Sequence, residues 1–246
     1  MGKRHGLCSG RSLTIGVLSL AMVLSGRPEA AAQKKLSPKK DYLVTISTRE
    51  GDMVLLLSEK TPKHRENFVK LAKQGFYDGL LFHRVIENFM IQGGDPTSRD
   101  APEGALLGSG DNGTRIPAEF VPELFHKKGA LAAARDNNPA KESSDCQFYI
   151  VQGRVWTEAE LEKQTSRAGR KPTPEQKNTY MTQGGTPHLD GNYTVFGEVI
   201  QGLNVLDRIA ALETDERDRP VEDVKMKVKV EEWRKKKITK KFNYKY

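Results

Sequence analysis

From residue 42 onward the chain alternates short apolar runs with polar breaks that carry glycine, proline, aspartate or asparagine. Residues 42–48 (YLVTIST) and 53–57 (MVLLL) are rich in β-branched and aliphatic side chains. Arg49-Glu50-Gly51-Asp52 lies between them, so the pair predicts a β-hairpin. Thr61-Pro62 predicts a helix start, because a threonine hydroxyl can accept from the first turn and proline lacks only an N–H that has no partner there. Phe68, Leu71 and Ala72 then fall on one face at helical spacing, and Gly75 ends the helix. The runs 81–86, 89–92, 129–134, 147–151 and 194–199 read as further strands. Residues 203–212 (LNVLDRIAAL) read as a second core helix, and 224–230 (VKMKVKV) alternates strictly, as a strand with one wet face does. Many short strands between turn signals predict a mainly β domain, a sandwich or a barrel.

Three stretches depart from that rhythm. Residues 154–187 are polar but carry capping-box patterns at Thr157/Glu160 and Thr173/Gln176, which predict a polar helical insertion with too few apolar residues for a core of its own. Residues 1–32 place Lys3, Arg4 and Arg11 before the run 13–24 (LTIGVLSLAMVL) and end on Ala30-Ala31-Ala32. That is the layout of a secretory signal peptide, and the apolar run is short of the ~20 residues a membrane span needs. A linker is expected over 33–40, the domain over 41–232 and a basic tail over 233–246. Charge sharpens this division. The chain is +8 overall, yet residues 225–246 hold ten basic and two acidic side chains, which leaves the segment 33–224 net acidic. The tail could meet an acidic partner or be a solvated end, and no nucleic-acid motif accompanies it. With 37% apolar and 29% charged residues, a packed core is expected rather than disorder.

Familiar catalytic constellations do not occur: there is no phosphate-binding glycine loop, no Gly-x-Ser-x-Gly and no Cys-x-x-Cys. The histidines outside the leader, His64, His83, His126 and His188, lack metal-ligand spacing, so no metal site is expected. Cys8 falls in the leader, and Cys146 alone cannot form an internal disulfide; among strand residues it reads as an inert buried thiol. One segment stands out, residues 82–95, where Arg84 and Gln92 interleave with large apolar groups. Alternate strand residues share a face, so Arg84 and Ile86 point one way and a turn at Glu87-Asn88 returns Phe89 near them. This describes either an apolar pocket with a guanidinium and an amide at its rim, or a core strand pair with an ordinary surface arginine.

The segment FHRVIENFMIQGGDPT (82–97) closely resembles the signature of cyclophilins. GALAAAR (129–135), DCQFYIV (145–151) and LDGNYTVFG (189–197) resemble further blocks of that family, in family order. The resemblance covers 41–232, interrupted by the insertion. It implies a closed eight-stranded antiparallel β-barrel capped by two α-helices, and peptidyl-prolyl cis/trans isomerase activity on proline-containing polypeptides, without cofactor or metal.

Carried over residue by residue, Arg84 is the donor to the proline nitrogen and Gln92 binds the substrate backbone. Phe89, Met90, Tyr149 and Leu189 wall the proline ring. Ala134, Arg135 and Asp136 form the loop under the preceding residue, Gln147 is a rim polar residue, and Gly104 resembles a glycine of the neighbouring loop. Three positions depart from the family pattern. His188 stands where tryptophan is common, which implies weak cyclosporin binding. Tyr193 replaces a rim histidine, keeping an aromatic wall and a hydroxyl. Tyr149 stands where phenylalanine is common, adding a hydroxyl to the pocket floor. An exported foldase, periplasmic or secreted and monomeric, is the expectation, with no nucleic-acid partner and no membrane span in the mature chain.

Overall fold

The computed structural model describes residues 36–167 and 169–246. The expected leader and the first residues of the linker lie outside them. The hairpin read from residues 42–57 is present as β1 (Lys40–Thr48) and β2 (Gly51–Leu57), paired antiparallel with Thr48 opposite Gly51. Helix α1 (Pro62–Lys73) follows with proline in its first turn. Thr61 makes no capping bond. The Glu119 carboxylate instead accepts from the backbone N–H of Lys63 and His64, at 3.1 Å each, so the orphan donors are met by a residue far along the chain.

Strands β3 (Arg84–Ile86), β4 (Met90–Gly93), β6 (Ala130–Ala133), β8 (Phe148–Val151), β9 (Val195–Gln201) and β10 (Lys227–Arg234) complete an eight-stranded antiparallel sheet, ordered β10-β1-β2-β9-β6-β8-β4-β3. A separate small pair joins β5 (Arg115–Ile116) to β7 (Ser143–Ser144). Each strand turns alternate residues to opposite faces. One face of the sheet, with Val44, Leu55, Phe148, Ile150 and Phe196, packs on Phe68 of α1 and on Leu206 and Ile209 of α4 (Leu203–Ala210). The other face carries Met90, Ala132, Tyr149 and Val195. Both faces of β6 and β8 are covered, which is why those strands read as unbroken apolar runs.

The expected closed barrel is corrected. No ladder joins β3 to β10, and the sheet stays open between them. Single main-chain bonds cross the opening: Phe82 N–H to Val224 O at 2.9 Å, Met226 N–H to Leu80 O at 2.8 Å, and Val85 N–H to Asp218 O at 2.7 Å. The turn ending at Gly79 (φ 82°) and the one around Asp218 (φ 64°) break the regular pairing that closure would need.

Helices beyond the expected two core helices are also present. The insertion forms α2 (Glu158–Arg167) and α3 (Pro174–Thr182), and both capping boxes are made. Its few apolar residues, Leu161 and Tyr180, form a small cluster by borrowing Phe125 from the body. The basic tail is not a free end. It continues β10 and folds as α5 (Lys235–Phe242), with Ile238 fully buried against Leu43 and Leu56. Among the described residues, no helix is long and apolar enough to cross a membrane.

Candidate active site

The sheet register brings the chemistry together. Arg84 lies opposite Gln92, Gln92 opposite Tyr149, and Tyr149 opposite Ala132. Directly opposed residues share a face, so one row across four strands presents a guanidinium, an amide, an aromatic ring and a small residue side by side. The turn after Ile86, with Asn88 in the left-handed region (φ 61°), returns Phe89 and Met90 to the same face. Gly94 (φ 90°) lets the chain leave β4 against Cys146, where a Cβ would collide with the Cys146 carbonyl oxygen.

Arg84, Phe89, Met90, Gln92 and Tyr149 line a hollow of about 150 Å³ together with Ala134, Arg135, Leu189 and Tyr193. Small-molecule sites usually occupy ~300–1,000 Å³, so this hollow suits a single residue's side chain. A groove of about 290 Å³ lined by Leu57, Phe125, Val195 and Tyr244 is larger, but it holds neither Arg84 nor Gln92.

At the rim, the Arg84 side chain is 41% exposed, and its Nε donates to Asp218 Oδ2 at 3.3 Å. Gln92 Nε2 donates to Gln147 Oε1 at 2.9 Å, and Gln147 Nε2 donates to the carbonyls of Gly108 and Gly110 at 3.0 and 2.7 Å. Gln147 therefore sits behind Gln92, tying the amide to the 108–110 loop rather than lining the hollow. Arg135 lies 4.7 Å from the Tyr193 ring centre and donates to Asn192 O at 2.8 Å, fixing the tyrosine wall. Asp136 faces away and pairs with Arg115 at 2.9 Å. The Gly104 carbonyl accepts from Arg217 and is not part of the lining. His188 stacks on Phe89, with ring centres 5.6 Å apart, and so supports the wall from behind. Burial, with His126 nearby, holds its pKa below the ordinary value.

Tyr149 forms the floor. Its hydroxyl does not reach into the hollow; it meets His126 Nε2 at 2.9 Å. His126 Nδ1 lies 2.8 Å from Asp190 Oδ1, and the other carboxylate oxygen of Asp190 accepts from the Tyr180 hydroxyl at 2.7 Å. Burial pushes the Asp190 carboxyl up, but the bonds from His126 and Tyr180 outweigh it and hold the pKa below its usual value. Burial raises the phenol of Tyr149 well above its ordinary value. The added hydroxyl is thus consumed beneath the pocket, and the face offered to a ligand stays apolar. Cys146 is buried, its thiol pushed up to about 11 by burial.

Sequence reasoning missed Asp218 and His126 as parts of the site. Asp218 lies 134 residues from Arg84 and has no motif around it. A buried histidine partner was the one signal available for Tyr149, since a phenol placed in a pocket floor needs somewhere to bond.

Comparison with known proteins agrees with this geometry. Residues 43–230 match the family described as cyclophilin type peptidyl-prolyl cis-trans isomerase/CLD. A protein of Staphylococcus haemolyticus named as a peptidyl-prolyl cis-trans isomerase is 40% identical over 182 residues, 74% of this chain and 86% of that protein. A Streptococcus pyogenes protein named as a bifunctional phosphatase/peptidyl-prolyl cis-trans isomerase is 41% identical over 80% of this chain, which spans only 39% of that longer protein. In structure, a Cryptosporidium parvum cyclophilin type peptidyl-prolyl cis-trans isomerase, solved in the presence of the dipeptide Ala-Pro, is similar with a TM-score of 0.56 and 25% identity, covering 77% of this chain and 98% of that one. The chain therefore belongs to the cyclophilin-type peptidyl-prolyl cis-trans isomerases.

Proposed function

We propose that the hollow takes the proline ring of an X-Pro segment and that Arg84 lowers the barrier to rotation about the preceding bond. That barrier, about 18–20 kcal/mol, is amide resonance, and uncatalysed exchange takes on the order of tens to hundreds of seconds. Twisting the bond localises a lone pair on the proline nitrogen. A donor aimed at that nitrogen binds the twisted state better than either planar state, and only such differential binding accelerates the step.

A guanidinium suits this role, being permanently charged and rigid. With Nε engaged by Asp218, the two terminal nitrogens of Arg84 are left to reach over the hollow. Gln92, steadied by Gln147, holds the substrate backbone, and Phe89, Met90, Leu189 and Tyr149 exclude water from the ring. An acceleration of ~10⁵-fold corresponds to about 7 kcal/mol, of which one charged donor supplies part and the shaped hollow the rest.

The observation carrying this reading is the pairing of Arg84 with Gln92 at the mouth of a one-residue apolar hollow. Turnover of a proline peptide by the wild type and by Arg84→Ala tests it. The variant is expected to lose about 10²–10³ in kcat/KM; equal rates would remove the catalytic assignment.

The leader-like residues 1–32 support a role in folding exported clients, periplasmic or secreted. Cyclosporin binds weakly in this reading, because His188 offers a small ring already stacked on Phe89 where an indole would reach outward.

A further inference from the structure

The pocket floor is connected to the helical insertion by buried polar groups. Tyr180 of α3 is fully buried and donates to Asp190. Asp190 also receives the backbone N–H of His126 at 2.9 Å as well as its ring nitrogen. With the Nδ1 proton directed at the carboxylate, His126 Nε2 is an acceptor, and the Tyr149 hydroxyl donates to it. The His126 and Tyr149 rings are nearly parallel, 15° apart with centres 6.0 Å apart, so they meet end to end through this bond.

The insertion is anchored at the same place. Phe125, next to His126, packs edge-on against Tyr180, and Gln176 of α3 donates to Pro122 O at 2.8 Å. Thr186, just past the insertion helices, donates from its backbone to His126 O at 2.8 Å. A phenylalanine floor would leave His126 Nε2 without the hydroxyl it accepts from. A buried phenol in turn needs a partner, since an unpaired hydroxyl there would be costly.

We infer that the α2–α3 insertion positions the floor of the proline pocket through Tyr180, Asp190 and His126, acting on the orientation of Tyr149. This rests on the reading of the hollow as the proline site. Tyr180, Asp190 and His126 are positioning residues: none lines the hollow occupied by substrate in that reading. Because Tyr149 touches the ring and not the twisting nitrogen, loosening it weakens binding more than rotation. The insertion thereby tunes affinity for proline segments, while Arg84 sets the rate of the bound step.

A double-mutant cycle on the full chain tests this. Tyr180→Phe removes one hydroxyl and leaves the packing. It is expected to raise KM for an Ala-Pro peptide about 3–10-fold with kcat changed less than twofold. In a Tyr149→Phe background, where the bond to His126 is cut, Tyr180→Phe should change KM by less than 1.5-fold while still lowering the melting temperature as before. An equal KM effect in both backgrounds, or none in either, overturns the inference. Long-range ¹H–¹⁵N spectra of the substrate-free chain read the relay independently of turnover. His126 should be the Nδ1–H tautomer in the wild type, and in Tyr180→Phe, which leaves its bond to Asp190 in place, it should keep that tautomer with its ring ¹⁵N resonances shifted. An unchanged His126 signal contradicts the relay even if the protein is an isomerase, and absent wild-type turnover with the expected spectral change sinks only the proline-site reading.

Discussion

Arg84 at the rim and Tyr149 at the floor stand two strands apart, with Gln92 between them, yet they are held very differently. The Arg84 side chain is 41% exposed and tethered through one nitrogen to an equally exposed Asp218. Tyr149 is 4% exposed, and beneath it His126, Asp190 and Tyr180 are bonded in series. In the proposed mechanism the difference follows from what each must do. A group that stabilises a transient lone pair has to keep donors unspent, and a wet rim costs it little. A surface that recognises a ring by shape has to be rigid, and rigidity in an apolar setting requires that every polar atom be satisfied. Substitutions at the floor should therefore act on stability and KM, and substitutions at the rim on the rate of the bound step.

The largest expected effect is at the floor. Asp190→Ala leaves the His126 ring N–H and the Tyr180 hydroxyl without their shared acceptor, and each buried donor left unpaired costs about 1–3 kcal/mol. Urea unfolding measures it; a loss below about 1 kcal/mol would show that the floor is not held through Asp190.

The back of the rim strand supplies the next test. His83, beside Arg84 but on the opposite face, is 3% exposed, and burial lowers its pKa to about 4. Between pH 6.5 and about 4 the unfolded chain takes up this proton and the folded chain does not. Stability should thus be level above pH 6.5 and fall as pH drops through that window, by about 3 kcal/mol at its lower end. Thermal melts across the range should show a shallower slope for His83→Phe. His64, also depressed by burial, adds to the wild-type slope in the same direction.

Asp218→Ala should do least. The exposed pair contributes at most ~1 kcal/mol to stability. Its removal frees Arg84 to wander and should lower kcat/KM only a few-fold, with a small fall in melting temperature because alanine tolerates the left-handed φ of 64° there less well than aspartate. A loss as large as that of Arg84→Ala would mean the rim is as tightly built as the floor.

The apolar row of the hollow was legible because strand alternation and a dense run of residues around Arg84 and Gln92 both carry local information. What stayed hidden depends on partners distant in sequence. Thr61 looks like a helix cap, but Glu119 reaches the same N–H groups first. The basic tail looks solvated because its lysines outnumber Ile238, yet that single residue, with Trp233 and Phe242, is enough to seat α5 on the sheet. The closed barrel failed at a seam whose irregular turns carry no periodic signal. Asp136 and Gln147 sit inside matching blocks, but the side chain of one turns to Arg115 and that of the other supports Gln92 from behind. Block similarity places a backbone and leaves side-chain direction to the neighbours.

In the proposed mechanism Arg84 favours the rotated bond over both planar forms. Exchange spectroscopy on an Ala-Pro peptide held at saturation reads interconversion within the bound complex, separately from affinity. On replacing Arg84 by alanine, bound-state interconversion should slow by at least ~100-fold while the dissociation constant moves by less than about fivefold. Unaltered interconversion, or a loss explained wholly by failure to bind, would contradict it.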